Sequence, residues 1–405
     1  MIKRNIEGFA YKVLTQYGKM LFISGPRQTG KTTFARYVLK NYSQGVYFNW
    51  DIIEDQKRLT RDPYFFEKEN RNTKEKCLVV FDEIHKYSKW KNYLKGVYDE
   101  YSDEFIFIVT GSRRLDLFKK GGDSLFGRYF ALHLFPFSYG EVIGRFFSFN
   151  EFLNNLQSID IQTSFRDIYE QLYKFSGFPE PFVKNSDDFY NIWFNERKKL
   201  LVREDIRNAY ALREISNIEV LSNILPEKIG SPLSINSLVD DVRASYNSIK
   251  EWLLILEQFY YFFKIKPFSK SISRALRKEP KIYLYDWVEV VDDSKRFENL
   301  IAFHLYKAVT LWRDTGVGNI DLFYIRDKEK REVDFLITKN EQPIILIEAK
   351  YNDEELSKNL VMFQAKLKIP ISIQVIHKKG VCKKLKNSGL TQWIVSADRF
   401  LELLP

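Results

Sequence analysis

The stretch Gly25 to Thr32, GPRQTGKT, constrains this chain more than any other. It fits G-x-x-x-x-G-K-[ST] and stands between an apolar run, MLFIS (20–24), and a helix-like one, KTTFARYVLKNY (31–42). Glycines let backbone amides wrap a phosphate chain, and a helix N-terminus adds positive potential. Gly25, Pro26, Arg27, Gln28, Thr29, Gly30, Lys31, Thr32 and Thr33 are therefore the candidate nucleotide contacts. Lys31 is expected to reach the β- and γ-phosphates, and the Thr32 hydroxyl to ligate Mg²⁺. A nucleoside triphosphate and Mg²⁺ are the expected cofactors.

The surrounding pattern suits such a loop. VYFNW (46–50), CLVVF (77–81) and FIFIVT (105–110) read as buried strands separated by helix-like segments. That alternation predicts a parallel sheet covered on both faces. The strand ending at Phe81 runs into Asp82 and Glu83, and acids at a strand's carboxyl end fall beside the phosphate loop. Asp82 is expected to hold magnesium through water, and Glu83 to orient and deprotonate an attacking water. FIFIVT ends in Thr110, Gly111 and Ser112, where a polar group meets the γ-phosphate. Arg113, Arg114 and Arg128 follow. Arg128, in the apolar SLFGRYF, is the preferred arginine for stabilising the charge that develops during transfer.

The blocks GPRQTGKTT, LVVFDEIHKYSKW, IVTGSRR and SLFGRYFALHLFPFSYGE resemble an AAA-type ATPase group of bacteria and archaea, often called AAA fourteen. The resemblance covers roughly the first 145 residues. It implies ATP as the nucleotide, with contacts at Gly30, Lys31 and Thr32, magnesium at Asp82 and a water base at Glu83. It also implies a P-loop core, a helical region, a winged helix and a C-terminal domain of unknown function similar to PD-(D/E)xK nucleases. The chain departs from the group at Arg113, where relatives more often carry a small polar residue. The expected class is α/β: a P-loop NTPase parallel-sheet core with a helical subdomain, a winged helix and a C-terminal nuclease-like α/β domain.

The rest of the chain divides accordingly, into a core at 1–145, a helical subdomain at 146–215, a winged helix at 216–290 and a last domain at 291–405. NIEVLSNILPEKI, SINSLVDDV and NSIKEWLLILEQF read as three helices, the last two joined by RASY. Strand-like YYFFKIKPF and KIYLYD then form a hairpin, which completes a winged helix. Between residues 259 and 281 stand Lys264, Lys266, Lys270, Arg274, Arg277, Lys278 and Lys281 against one acid, Glu279. A wing so charged suits a DNA backbone. A protein-binding or interdomain module with a solvated basic face is the alternative.

In the last segment, FENLIAFHLYKAV reads as a helix, and LFYIR, EVDFLIT and PIILIEAKY as strands. The two-residue period puts Glu332 and Asp334 on one face, and likewise Glu348 and Lys350. TKNEQP is short enough for a hairpin that brings Asp334 beside Glu348 and Lys350. Two carboxylates can bind Mg²⁺, and a nearby lysine can activate water for phosphodiester attack. Glu298 is a further candidate ligand and Gln364 a weaker one. The block resembles the PD-(D/E)xK core, with Asp334, Glu348 and Lys350 at matching positions. A charged sheet face with an ordinary salt bridge is the alternative, and Val333 and Phe335 on the opposite face suit a half-buried sheet.

Composition excludes other classes. Apolar residues make up 45% and charged residues 29%, which rules out disorder or a coiled coil as the main architecture. Sixty-three basic against 53 acidic side chains give a net charge of +10, which permits a polyanionic partner. Cys77 and Cys382 cannot build a disulfide framework, and no run approaches a membrane span, so the chain reads as cytoplasmic. His133, His304 and His377 lack partners at metal spacing, and His85 is expected to pack near the phosphate site. Two alternatives to ATP hydrolysis stand at this level: ATP-regulated DNA cleavage, and a non-enzymatic ATP switch. A homo-oligomer with an arginine acting in trans is compatible with either.

Overall fold

A computed structural model of the chain describes residues 2–68, 71–112, 125–159, 165–207, 215–269, 279–387 and 389–405. Arg113, Arg114, Lys270, Arg274, Arg277 and Lys278 lie outside the described residues. The chain divides into two compact units. One comprises Arg4–Phe135 with Gln258–Tyr260, the other Met1–Lys3, Pro136–Glu257 and Tyr261–Pro405.

The first unit holds strands β1 (Met20–Ser24), β2 (Gly45–Asn49), β3 (Cys77–Asp82), β4 (Phe105–Gly111) and β5 (Tyr129–His133). They form one parallel sheet in the order β2-β3-β4-β1-β5. β1 and β3 are buried along their whole length, as a sheet covered on both faces requires. One core packs phenylalanines. Phe48, Phe66, Phe81 and Phe107 meet Trp90 and Leu94 of the helix Trp90–Tyr101. Phe66 meets Phe105 edge-to-face at 5.0 Å, a geometry worth ~0.5–1.5 kcal/mol beyond area burial. β5 escapes the periodicity argument because it is an edge strand, half exposed, with a single fully buried residue, Leu132.

The second unit joins a helical region to a mixed eight-stranded sheet. Its helices include Arg166–Phe175, Asp187–Lys199, Ile215–Ile224, Ile235–Val242 and Tyr246–Gln258. β6 (Phe262–Pro267) and β7 (Lys281–Leu284) pair antiparallel. The remaining strands are β8 (Ile320–Arg326), β9 (Glu332–Lys339), β10 (Gln342–Lys350), β11 (Ile371–Ile376), β12 (Cys382–Asn387) and β13 (Leu390–Ser396). The order is β12-β13-β11-β10-β9-β8-β6-β7. The expected β9–β10 hairpin is present, and its turn residues Asn340 and Glu341 both take positive φ, 49° and 65°. That is the backbone a two-residue hairpin loop needs.

Two expectations are corrected here. The β6–β7 hairpin does not stand apart as a wing, because β6 pairs with β8 and extends the C-terminal sheet. Nor is β9 half-buried. Val333 through Thr338 are all buried, since the 22-residue helix Asp293–Asp314 packs on this sheet and Lys358–Leu367 packs on β9, β10 and β11. Two covered faces blur the alternation that a one-sided sheet would show.

Candidate nucleotide site and acidic cluster

The loop leaves β1 at Ser24 and enters the helix Lys31–Lys40 through Gly30, at φ 91°. Gly25 has φ 154°, and a side chain there would strike the Leu134 carbonyl oxygen. Only glycine fits that approach. Gln28 also takes positive φ, 65°. Arg27 and Gln28 are half-buried, Pro26 and Thr29 buried, and Thr32 and Thr33 open to solvent. The Thr29 hydroxyl donates to the Pro26 carbonyl at 2.9 Å. Lys31 Nζ donates to the carbonyls of Gly25 at 3.0 Å and Pro26 at 2.7 Å, so the ammonium lies across the mouth of the loop. From below, the buried Arg4 guanidinium donates to the carbonyls of Thr29, at 2.9 Å, and Phe135. Nothing in the sequence around Arg4 signals that role.

β4 lies between β1 and β3, so the end of β4 stands between the loop and the acid pair. Asp82 is fully buried and collects three hydroxyls: Thr32 at 2.7 Å, Tyr47 at 2.5 Å, and Thr110. Glu83 sits in a left-handed backbone conformation, φ 54°, of the kind that persists at functional sites. Ser112 Oγ donates to its carboxylate at 3.1 Å, and its own amide donates to Thr110 Oγ1 at 3.3 Å. His85 Nδ1 and Lys86 Nζ lie 3.7 and 3.8 Å from the same oxygen. Burial raises the Glu83 carboxyl above its ordinary range, against the pull of Lys31 and Lys86. A carboxylate raised toward neutrality is a better proton acceptor at physiological pH.

The structure thus brings together the loop residues, Asp82, Glu83 and Ser112. It does not bring Arg128 to them. The Met20 amide donates to the Arg128 carbonyl, which puts Arg128 at the opposite end of β1 from the loop, roughly 13 Å of strand away. Its guanidinium instead holds Asp99 through bonds of 2.6 and 2.9 Å. Tyr47 was missed. Its place on β2 becomes meaningful only once β2 pairs with β3, and its hydroxyl then reaches Asp82.

Residues 17–143 match the family model AAA_14, an AAA domain. This segment is similar to AAA domains. Residues 166–287 match a domain of unknown function, DUF8612, and residues 294–399 another, DUF4143. An uncharacterized protein of Methanocaldococcus jannaschii, MJ1544, is 24% identical over 373 residues, 86% of this chain and 79% of that protein. Among solved structures, the Aeropyrum pernix ORC1 protein in complex with DNA is 12% identical, at a TM-score of 0.31 over 74% of this chain and 91% of that one. C. elegans PCH-2 is 15% identical, at 0.23 over 60% and 63%. Both scores fall below the level at which a shared overall fold is inferred.

The DUF4143 segment carries the second constellation. Continuing the β9–β10 register sets Glu348 opposite Asp334. The Asp334 amide donates to Glu348 Oε2 at 3.4 Å, and the Ala349 amide to Asp334 Oδ2 at 3.0 Å. Lys350 Nζ lies 2.9 Å from Glu348 Oε1. Glu298 joins from the helix Asp293–Asp314 and accepts from the Tyr283 hydroxyl at 2.7 Å. Burial, then the Asp334 charge, pushes Glu298 up to about 7 and Glu348 up to about 8. Gln364 is not among them. Its side chain is spent on Thr391, Ser372 and Gln392. Lys281, counted by sequence as part of a basic wing, is 1% exposed and sits inside this acidic cluster. Lys266 remains exposed, while Lys264 pairs with Glu257 at 2.6 Å.

Proposed function

We propose that the chain binds ATP with Mg²⁺ and hydrolyses it to ADP and phosphate. The carrying observation is the 2.7 Å bond from Thr32, on the loop, to Asp82, at the end of β3. It joins the phosphate loop to the acid pair. The donors suit a hard cation, because Thr32 and Asp82 offer only oxygens. These two residues would hold Mg²⁺, which would neutralise charge on the β- and γ-phosphates. The loop amides and Lys31 bind and orient the phosphates. Glu83 takes the proton of the attacking water, and Ser112, bonded to Glu83, holds the carboxylate toward it. The test is ATP turnover by the full chain. Lys31→Ala is expected to abolish nucleotide binding. Glu83→Gln is expected to keep binding and slow turnover by ~10²–10⁴-fold, the usual worth of a general base. Parental turnover in Glu83→Gln removes that residue from the base role.

A second element of the reading is a DNA partner for the 259–281 region, which follows the helices Ile235–Val242 and Tyr246–Gln258 in the chain. The exposed Lys266 supports it, while the burial of Lys281 removes one of the counted charges. Stimulation of ATP turnover by duplex DNA, weakened by added salt, is the expected sign. Arg128, held at the far end of its own sheet, can serve catalysis only from a second copy. Turnover that rises with protein concentration, and ceases to do so in Arg128→Ala, checks that assembly.

A further inference from the structure

The acidic cluster on β9 and β10 has its own cation. Lys281 Nζ lies 2.6 Å from Glu332 Oε1, 3.2 Å from Glu298 Oε1 and 3.3 Å from Asp334 Oδ1. It comes from β7, outside the segment that resembles a nuclease core. Four of the other carboxylate oxygens are also engaged. Asp334 Oδ2 accepts from Ala349, Glu348 Oε1 holds Lys350, and Glu348 Oε2 accepts from Asp334. Glu332 Oε2 lies 3.5 Å from Arg326. Divalent magnesium needs oxygens converging at ~2.0–2.1 Å. Here the convergence point of Glu298, Glu332 and Asp334 is filled by an ammonium at hydrogen-bonding distances. A divalent ion sharing those oxygens would lie against that ammonium, with like charge facing like charge in a dry site. Among the described residues, no group of three or more His, Cys, Asp or Glu side chains is arranged to hold a metal.

We propose that Lys281 is the resident cation of this cluster, so that its ammonium, in place of a divalent metal, is held among Glu298, Glu332 and Asp334. The residues that match the nuclease pattern then lack a metal centre, and phosphodiester cleavage is not their task. The ammonium instead fastens β7 to β9 across the sheet, because β7 reaches β9 only through β6 and β8. A lysine so placed also explains its own burial. An ammonium with no carboxylate around it would not remain in a dry interior, whereas three carboxylates around it satisfy all of its donors.

This inference stands apart from the ATPase reading, and its test uses the full chain without nucleotide and Mn²⁺ as the probe. Mn²⁺ uptake is followed by electron paramagnetic resonance for the parent, Asp334→Asn, Lys281→Met, and Lys281→Met with Asp334→Asn. The parent is expected to show no saturable uptake that Asp334→Asn removes. Lys281→Met, relieved of its ammonium, is expected to gain Mn²⁺ affinity by roughly 10-fold or more, and the double variant to lose that gain. Parental uptake or Mn²⁺-dependent plasmid nicking that disappears in Asp334→Asn overturns the proposal. So does a folded Lys281→Met that gains nothing. Should Lys281→Met fail to fold, Lys281→Met combined with Glu332→Gln rebalances the charge. Recovery of a cooperative melt supports the counter-ion role, and a chain that stays unfolded overturns it.

Discussion

Asp82 shows how little of a candidate metal ligand's setting lies next to it in the chain. Its carboxylate is held by Thr32 from the loop, Tyr47 from β2 and Thr110 from β4, three hydroxyls drawn from three elements. Tyr47 bonds the Asp82 carboxylate directly, which suits it to fix that side chain. The hydroxyl in turn is held neutral, since burial and its bond to Asp82 push its pKa up. Tyr47→Phe keeps the ring under Arg36, whose guanidinium lies 4.2 Å from the ring centroid, and removes the hydroxyl that bonds Asp82. The expected outcome is an ATPase that folds normally and needs roughly 10-fold more Mg²⁺ for half-maximal turnover, read from a Mg²⁺ titration at saturating ATP. An unchanged Mg²⁺ dependence would show that Thr32 and Thr110 hold the carboxylate without help.

At the scale of elements, two features dominate. The parallel sheet is stabilised by an aromatic layer in which Phe81 stacks on Phe107 at 6.2 Å and meets Phe48 and Phe66 edge-on. Phe81 directly precedes Asp82, so the packing that holds the strand also places the acids. Phe81→Ala is expected to cost ~3–5 kcal/mol in chemical denaturation and to lower nucleotide binding with it. The β9–β10 hairpin carries a pH dependence. Glu298 and Glu348, ordinarily near 4.5, are raised to about 7 and about 8 in the folded chain. They face each other's neighbours, Asp334 and Glu332, and the cations Lys281 and Lys350. From about pH 4.5 upward the unfolded chain releases protons that the folded one retains. The stability contributed by the protonated carboxyls is therefore full below 4.5 and is lost as pH rises through about 8. Thermal melts between pH 5 and 8.5 are expected to show this decline. Glu348→Gln, which cannot ionise, is expected to flatten it.

At the scale of the whole molecule, the chain passes between its two units at four points, near residues 3, 135, 257 and 260. The three residues Gln258–Tyr260 belong with the unit Arg4–Phe135, although both flanking segments belong to the other unit. Tyr260 secures that visit, its hydroxyl donating to Ser24 Oγ at 2.9 Å at the end of β1. Two units with separate cores are expected to give two calorimetric transitions. Saturating ATP with Mg²⁺ is expected to raise the one belonging to residues 4–135, by ~2.7 kcal/mol at a concentration 100 times Kd. The Lys31→Ala chain is expected to show no such shift. A single merged transition that moves as one would show the two units to be coupled in unfolding.

The phosphate loop, the acid pair and the Asp334–Glu348–Lys350 constellation were legible in the sequence because each depends on local spacing. A glycine loop between strand and helix, acids at a strand's end, and a hairpin of short connection declare their placement within a few residues. β5 escaped notice because an edge strand is half exposed, and β9 read as one-sided because periodicity cannot count the layers above it. What only the tertiary structure decided is which charges meet across the sheet. Lys281 and Glu332 are 51 positions apart in the numbering, and by sequence one reads as a phosphate contact and the other as a surface acid. Bringing β7, β8 and β9 into one sheet buries the lysine, and a buried ammonium must take the nearest carboxylates as its counter-ions. Arg128 was misplaced for the same reason, since strand pairing set it at the end of the sheet that faces away from the loop.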